Sequence, residues 1–191
     1  MGLTKEEIME MLQKTNALRK GHFKLTSGLH SEGYVQCALL LKEPHLAEKV
    51  GQALGEKFLE EKPDIVVGPA IGGIIIAYEV ARSLGVPGIF AERENGKMTL
   101  RRGFSVEKGQ KALVVEDVIT TGGSSQEVVE LLRSMGVEVI GVGSIIDRSG
   151  GQNKLTVPYK SLLALDIKTF PPEECSLCAE GKPIDKPGSR T

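Results

Sequence analysis

The sequence predicts an α/β protein whose mostly parallel sheet is covered by helices on both faces. Three observations predict it. From residue 64 onward short apolar runs recur, "DIVVG" (64–68) and "KALVVED" (111–117) among them, the mark of strands buried on both sides. Between these runs lie longer segments with apolar residues three and four apart, such as Val128, Leu131, Leu132 and Met135, which share one helix face. Glycines sit at the junctions, at 72–73, 85 and 122–123, so the chain repeatedly reads strand, turn, helix.

Taken in order, "LTKEEI" (3–8) predicts a helix start. Thr4 is placed to cap, Glu7 to close a capping box, and Leu3 with Ile8 to form a hydrophobic staple. Ile8, Met11 and Leu12 continue the apolar stripe, which the reading carries on to Gly21. "FKLTSGLHS" (23–31) reads as short and turn-rich, with a brief strand at 34–37. Pro44 opens a second helix with Leu46, Val50, Leu54 and Phe58 on one face. Strand 64–68, the turn "PAIGG" and a helix ending at Gly85 follow. Next come a strand at 86–93, a loop or open hairpin at 94–104, strand 111–117 and its helix. Strands at 137–148 and 157–166 complete the core. This divides the chain into a domain of residues 1–170 and a Pro/Gly/Lys/Glu-rich tail, 171–191, expected to be extended. Within the domain, 1–40 form a helix and hood segment and 64–166 the α/β core.

Composition narrows the function. A net charge of −1 gives no sign of a nucleic-acid or anionic-membrane partner, and the absence of Trp with only eight other aromatics disfavours a base-stacking surface. No apolar run reaches membrane-spanning length, and residues 1–20 are charged, unlike a secretory signal. A cytoplasmic protein without membrane or nucleic-acid partners is the expectation.

The chemistry concentrates in "VVEDVITTGGSS" (114–125). Ligands of such sheets sit beyond the carboxyl ends of the strands. Glu116 and Asp117 lie at one such end, and Thr120, Thr121, Gly122, Gly123 and Ser124 form a turn into a helix N-terminus. Backbone N–H groups and hydroxyls there suit a phosphate, and the acids suit ribose hydroxyls or the waters of a magnesium ion. A lone glycine-serine turn is usually a plain helix cap. A P-loop would need a lysine, and a dinucleotide fingerprint would need G-x-G-x-x-G; both are missing. The acids preceding the turn favour a sugar phosphate.

"LVVEDVITTGGS" (113–124) resembles the 5-phosphoribosyl-1-pyrophosphate (PRPP) motif of the type I phosphoribosyltransferases. The resemblance implies that family's fold, with a small N-terminal hood. It implies PRPP contacts from Glu116, Asp117, Val118, Ile119 and Thr120 through Ser124, with Ala70 and Gly72 of "VVGPAIGG" in a pyrophosphate loop. "AERENGKMTLRRGF" (91–104) resembles the mobile active-site loop, so Arg93 is expected on PRPP, with Lys97, Arg101 and Arg102 as cations for the leaving pyrophosphate. Asp117 and Lys97 are the expected catalytic residues. Mg2+ is the implied cofactor, held mainly by substrate oxygens with no dedicated protein ligands. A homodimer is implied, its loop serving the neighbouring subunit.

Within the family the chain is most similar to the orotate-using branch. "FKLTSGLHSEGYVQ" (23–36) resembles the segment lying over the base, and "SIIDRSG" (144–150) its Asp-Arg at a strand end. Ser27, Thr120 and Arg148 are the expected orotate contacts, because guanidinium can pair two N–H bonds with a planar carboxylate. The departures are Thr26 and Ile71-Gly72, where relatives carry lysines, and a loop without histidine. Adenine or xanthine phosphoribosyltransferases and a PRPP-sensing transcription regulator remain the alternatives. Cys175 and Cys178 form one C-x-x-C, half the usual zinc set; Cys37, His22, His30 or His45 could complete it, and no metal is assigned.

Overall fold

The computed structural model describes residues 2–25 and 27–187. The chain runs α1 (Lys5–Lys14), β1 (Leu18–Lys24), β2 (His30–Val35), α2 (Ala38–Leu41), α3 (Pro44–Glu56), β3 (Ile65–Pro69) and α4 (Gly73–Leu84). It continues with β4 (Gly88–Glu94), β5 (Lys97–Leu100), β6 (Lys111–Ile119), α5 (Gly123–Ser134), β7 (Glu138–Asp147), β8 (Tyr159–Ala164), β9 (Thr169–Phe170) and α6 (Ser176–Ala179).

Six strands form the main sheet in the order β5-β4-β3-β6-β7-β8. All neighbours are parallel except β5, which returns antiparallel along β4. The strands are apolar on both faces because both faces are covered. Val66, Leu113 and Val115 pack with Val50 and Leu54 of α3 and Ile76 and Val80 of α4. Their alternates Val67, Val114 and Val142 pack with Val128, Val129 and Leu132 of α5. Order reverses about β3 and β6, which places the β3–α4 and β6–α5 turns side by side at one sheet edge.

Helix α1 starts as its sequence dictates. Glu7 N–H donates to Thr4 Oγ1 at 3.2 Å, and Thr4 N–H donates to Glu7 Oε2 at 2.8 Å. It ends at Lys14, earlier than the apolar stripe suggests, because Asn16 turns the chain in a left-handed conformation (φ 54°). Residues 18–24 then become a strand rather than helix and turn. Their pairing with β2, Phe23 opposite Ser31 and Lys24 opposite His30, supplies backbone partners that no local pattern announces.

Two further expectations are corrected, and of the two readings of 94–104 the hairpin is the one that forms. Strand β6 extends two residues past Asp117 to Ile119, since β7 pairs with it as far as Asp147. Residues 94–104 contain a regular strand, β5, hydrogen-bonded to β4 from Ala91 to Glu94. The segment after 170 is not simply extended. It makes a 3-10 turn at Pro172–Glu174 and the short helix α6, then returns to pair Asp185 with Phe23. With β9 alongside β2, the tail becomes part of the hood formed by β1 and β2.

Candidate functional site

The cradle is built at the N-terminus of α5. Gly122 caps the helix in a left-handed conformation (φ 77°), which an L side chain would strain, and having no side chain it caps nothing itself; Thr121 Oγ1 accepts from Gly123 N–H at 3.4 Å. A cavity of about 90 Å³ is bounded by Glu116, Val118, Ile119 and the turn Thr120–Ser125. Its size and its place at the N-terminus of α5 suit one phosphate group. Ser125, which the sequence reading did not single out, lines it with a buried hydroxyl that has no partner among the described residues. The doubled serine after Gly122-Gly123 was the only available signal.

The two acids stand at the cradle's edge. Glu116 is buried and Asp117 partly so. Burial first, and then the neighbouring Asp117 charge, hold the Glu116 carboxyl well above the usual carboxylate range. Burial also raises Asp117, against the lowering effect of Glu116 and of the Val118 N–H that donates to Oδ1 at 2.9 Å. Neither acid has a cationic side-chain partner among the described residues. The start of α4 lies directly against them. A Cβ built on Gly72 would stand 2.7 Å from Asp117 Oδ1, and one on Gly73 3.3 Å from Glu116 Oε1. Glycine at 72 is therefore what admits the Asp117 carboxylate so close to the 70–72 turn, where Ala70 N–H is tied to Ala91 O at 2.7 Å.

A larger cavity of about 840 Å³ opens beside the cradle and shares Thr120 and Thr121 with it. Ser27, Tyr34 and Gln36 of the hood face Arg148 across it. Arg148 is half-buried, its N–H held by Ile119 O at 2.8 Å, and its Nε is buried without a partner. Asp147 does not pair with it: the Asp147 carboxylate accepts instead from Ser149 N–H at 2.7 Å. Burial depresses the guanidinium pKa, partly offset by Tyr34. An arginine that lines a cavity without an acidic partner among the described residues is what a carboxylate ligand would satisfy. Tyr34, Gln36 and Thr169 were not singled out from the sequence as cavity residues.

The expected loop residues lie elsewhere. Arg93, expected on PRPP, clasps Glu127 of α5 with two bonds of 2.6 and 2.8 Å and donates to Gly96 O. Lys97 lines the same shallow groove outside α5. Arg101 pairs with Glu94 and Arg102 with Glu92. Neither Arg93 nor Lys97 lines the cradle or the larger cavity beside it: Arg93 at the end of β4 is held by Glu127, and β5 carries Lys97 back along β4.

The sheet order, the acid pair and the helix-terminal cradle define a sugar-phosphate-binding α/β protein. The chain belongs to the phosphoribosyl transferase family, whose domain matches residues 38–175. An orotate phosphoribosyltransferase of Caldanaerobacter subterraneus subsp. tengcongensis is 55 % identical over 188 residues, covering 98 % of this chain and 99 % of the relative. One from Thermotoga petrophila is 55 % identical over 183 residues, 96 % of this chain and 98 % of the relative. The crystal structure of orotate phosphoribosyltransferase from Aeropyrum pernix superimposes with a TM-score of 0.69 at 29 % identity, over 83 % of this chain and 93 % of that one.

Proposed function

We propose that this chain transfers the 5-phosphoribosyl group of PRPP to orotate, giving orotidine 5′-phosphate and pyrophosphate. The observation that carries the base is Arg148, a half-buried arginine that lines the cavity adjoining the phosphate cradle and whose Nε has no partner among the described residues. The naming of relatives at 52–55 % identity supports the same substrate.

In the reaction the C1–O bond to pyrophosphate breaks ahead of attack by orotate N1, which inverts the anomeric carbon. The N-terminal N–H groups of α5, with Thr121, Ser124 and Ser125, hold the 5′-phosphate. Glu116 and Asp117 accept from the ribose hydroxyls and, once ionised, oppose the positive charge that develops on the ring. Arg148 grips the orotate carboxylate, and Ser27 and Thr120 flank the base. The 70–72 turn, beside Asp117, is the pyrophosphate side. A buried and a half-buried acid, without a cationic side chain beside them among the described residues, fit a hydrated Mg2+ shared with substrate oxygens, and bound there the ion would offset pyrophosphate charge.

Arg93, Lys97, Arg101 and Arg102 reach pyrophosphate only from the loop of a neighbouring subunit. The homodimer this requires is supported by an exposed apolar run at the α4 end of the sheet, Ile71, Ile75 and Tyr78. Tyr78→Asp should halve the particle mass in sedimentation; a monomeric wild type would remove the idea. No helix among the described residues is long and apolar enough to cross a membrane.

The test is a base panel with PRPP and Mg2+, following pyrophosphate release. Orotate should turn over, with adenine and xanthine inert. Turnover of adenine without orotate would assign a different base to the same fold.

A further inference from the structure

We propose that His22, His30, Cys175 and Cys178 form a structural zinc site that fastens the tail to the hood. The four residues come from three separated segments. His22 lies on β1 and His30 on β2, while Cys175 and Cys178 bracket the start of α6. Their ligand atoms all fall within 4.8 Å of one another.

Four of the six separations lie near the edges of a tetrahedron. His22 Nε2 is 3.1 Å from His30 Nδ1, 3.5 Å from Cys175 Sγ and 3.6 Å from Cys178 Sγ. Cys178 Sγ is 3.2 Å from His30 Nδ1. Zn–S bonds of about 2.3 Å and Zn–N bonds of about 2.0–2.1 Å give tetrahedral edges of roughly 3.6 Å for S···N and about 3.3 Å for N···N. The outer support is also present. His22 Nδ1 lies 3.0 Å from Lys182 O, so it donates there and leaves Nε2 as a lone pair aimed at the centre. Both histidines and Cys175 are buried, where polar groups need partners. Two thiolates balance the charge of Zn2+, and the mixed sulfur–imidazole set selects it over the oxygen-seeking ions.

A disulfide between the two cysteines would explain the pair alone. It would not explain why two buried imidazoles converge on the same point. Nor would it explain why the tail, after a short helix, bends back to lay Lys182 O on His22 and Asp185 against β1.

The consequence reaches the base cavity. The loop between β1 and β2 carries Ser27, and the tail carries Pro187; both line the cavity that holds Arg148. Zinc would fix that wall. This second step rests on the proposed function, whereas the metal site itself does not.

The experiment uses the untagged full chain, purified under reducing conditions without added metal. Elemental analysis should find one zinc per chain, retained through dialysis against EDTA and released by a thiol-blocking mercurial. Replacement by Co2+ should give the visible bands of a tetrahedral ion and near-ultraviolet thiolate charge transfer. Cys178→Ser, at the most exposed ligand, should lose the metal and raise the orotate KM several-fold with the PRPP KM held; His45→Ala should retain both. If Cys178→Ser fails to fold, the cobalt spectrum of the wild-type chain still decides. Absence of zinc with no uptake of Zn2+ after reduction, an octahedral cobalt spectrum, or a Cys175–Cys178 disulfide in the reduced preparation would overturn the site. One tightly held zinc in a chain that does not use orotate would keep the site and remove only its link to the base.

Discussion

Arg148→Ala separates base recognition from sugar recognition. Among the described residues the Arg148 Nε has no partner and Asp147 is engaged with Ser149 N–H, so truncation breaks no ion pair there. The backbone bond from Arg148 N–H to Ile119 O survives in any variant. The folded state should therefore lose little, and the change in affinity reads the ligand contact. A charge-assisted bond is worth roughly 1.5–3 kcal/mol, which corresponds to about a ten- to hundredfold loss of orotate affinity. Arg148→Lys should recover only part, since an ammonium cannot make the paired contact. The assay is thermal protection by orotate and by PRPP with Mg2+, each measured separately. Orotate protection should fall and PRPP protection should stay. A parallel loss of both would place the residue in the ribose site or the fold, and the reasoning for the base would fail.

Three other perturbations test the remaining parts. Gly72→Ala keeps an ordinary helical φ but sets a methyl 2.7 Å from Asp117 Oδ1, so the carboxylate must withdraw; turnover should drop by up to about a hundredfold with the fold intact. Unchanged turnover would detach Asp117 from catalysis. Ser125→Ala removes a buried hydroxyl that lacks a partner among the described residues, so the ligand-free melting point should hold or rise while PRPP binding weakens by about 1 kcal/mol, roughly fivefold. Equal PRPP affinity in calorimetry would take Ser125 out of the cradle. Glu116 holds its proton to higher pH in the folded chain than in the unfolded one, so its stability contribution is lost as pH rises from the ordinary carboxylate range through the folded pKa. Glu116→Gln should then raise the ligand-free melting point at about pH 8 and change it little at about pH 4. A shift equal at both ends would contradict the assigned cause.

What could be read from the sequence was set by local chemistry. Thr4 and Glu7 begin α1, Pro44 begins α3, and the run from Glu116 to Ser124 carries its acids and its turn in one stretch. What escaped depends on partners distant in the chain. β1 is a strand because β2 lies beside it, and the tail folds because Asp185 meets Phe23. Lone cysteine spacing gave no metal, since the two histidines stand some 150 residues away and only the hood's pairing gathers them. Arg93 offered a plausible cation by composition, yet Glu127 on α5 holds it in this chain. The Ala70–Ile71 peptide is cis, which no sequence without proline there would suggest. Thr26, one of the departures from related sequences, lies outside the described residues.

The central claim is that the α5 cradle and the Arg148 cavity are two halves of one site. A crystal structure with orotidine 5′-phosphate tests it most directly, because that product spans both. The phosphate should sit on the N–H groups of residues 121–125, the ribose hydroxyls on Glu116 and Asp117, and the orotate carboxylate on Arg148. A phosphate seated at the 70–72 turn, or a base turned away from Arg148, would contradict it.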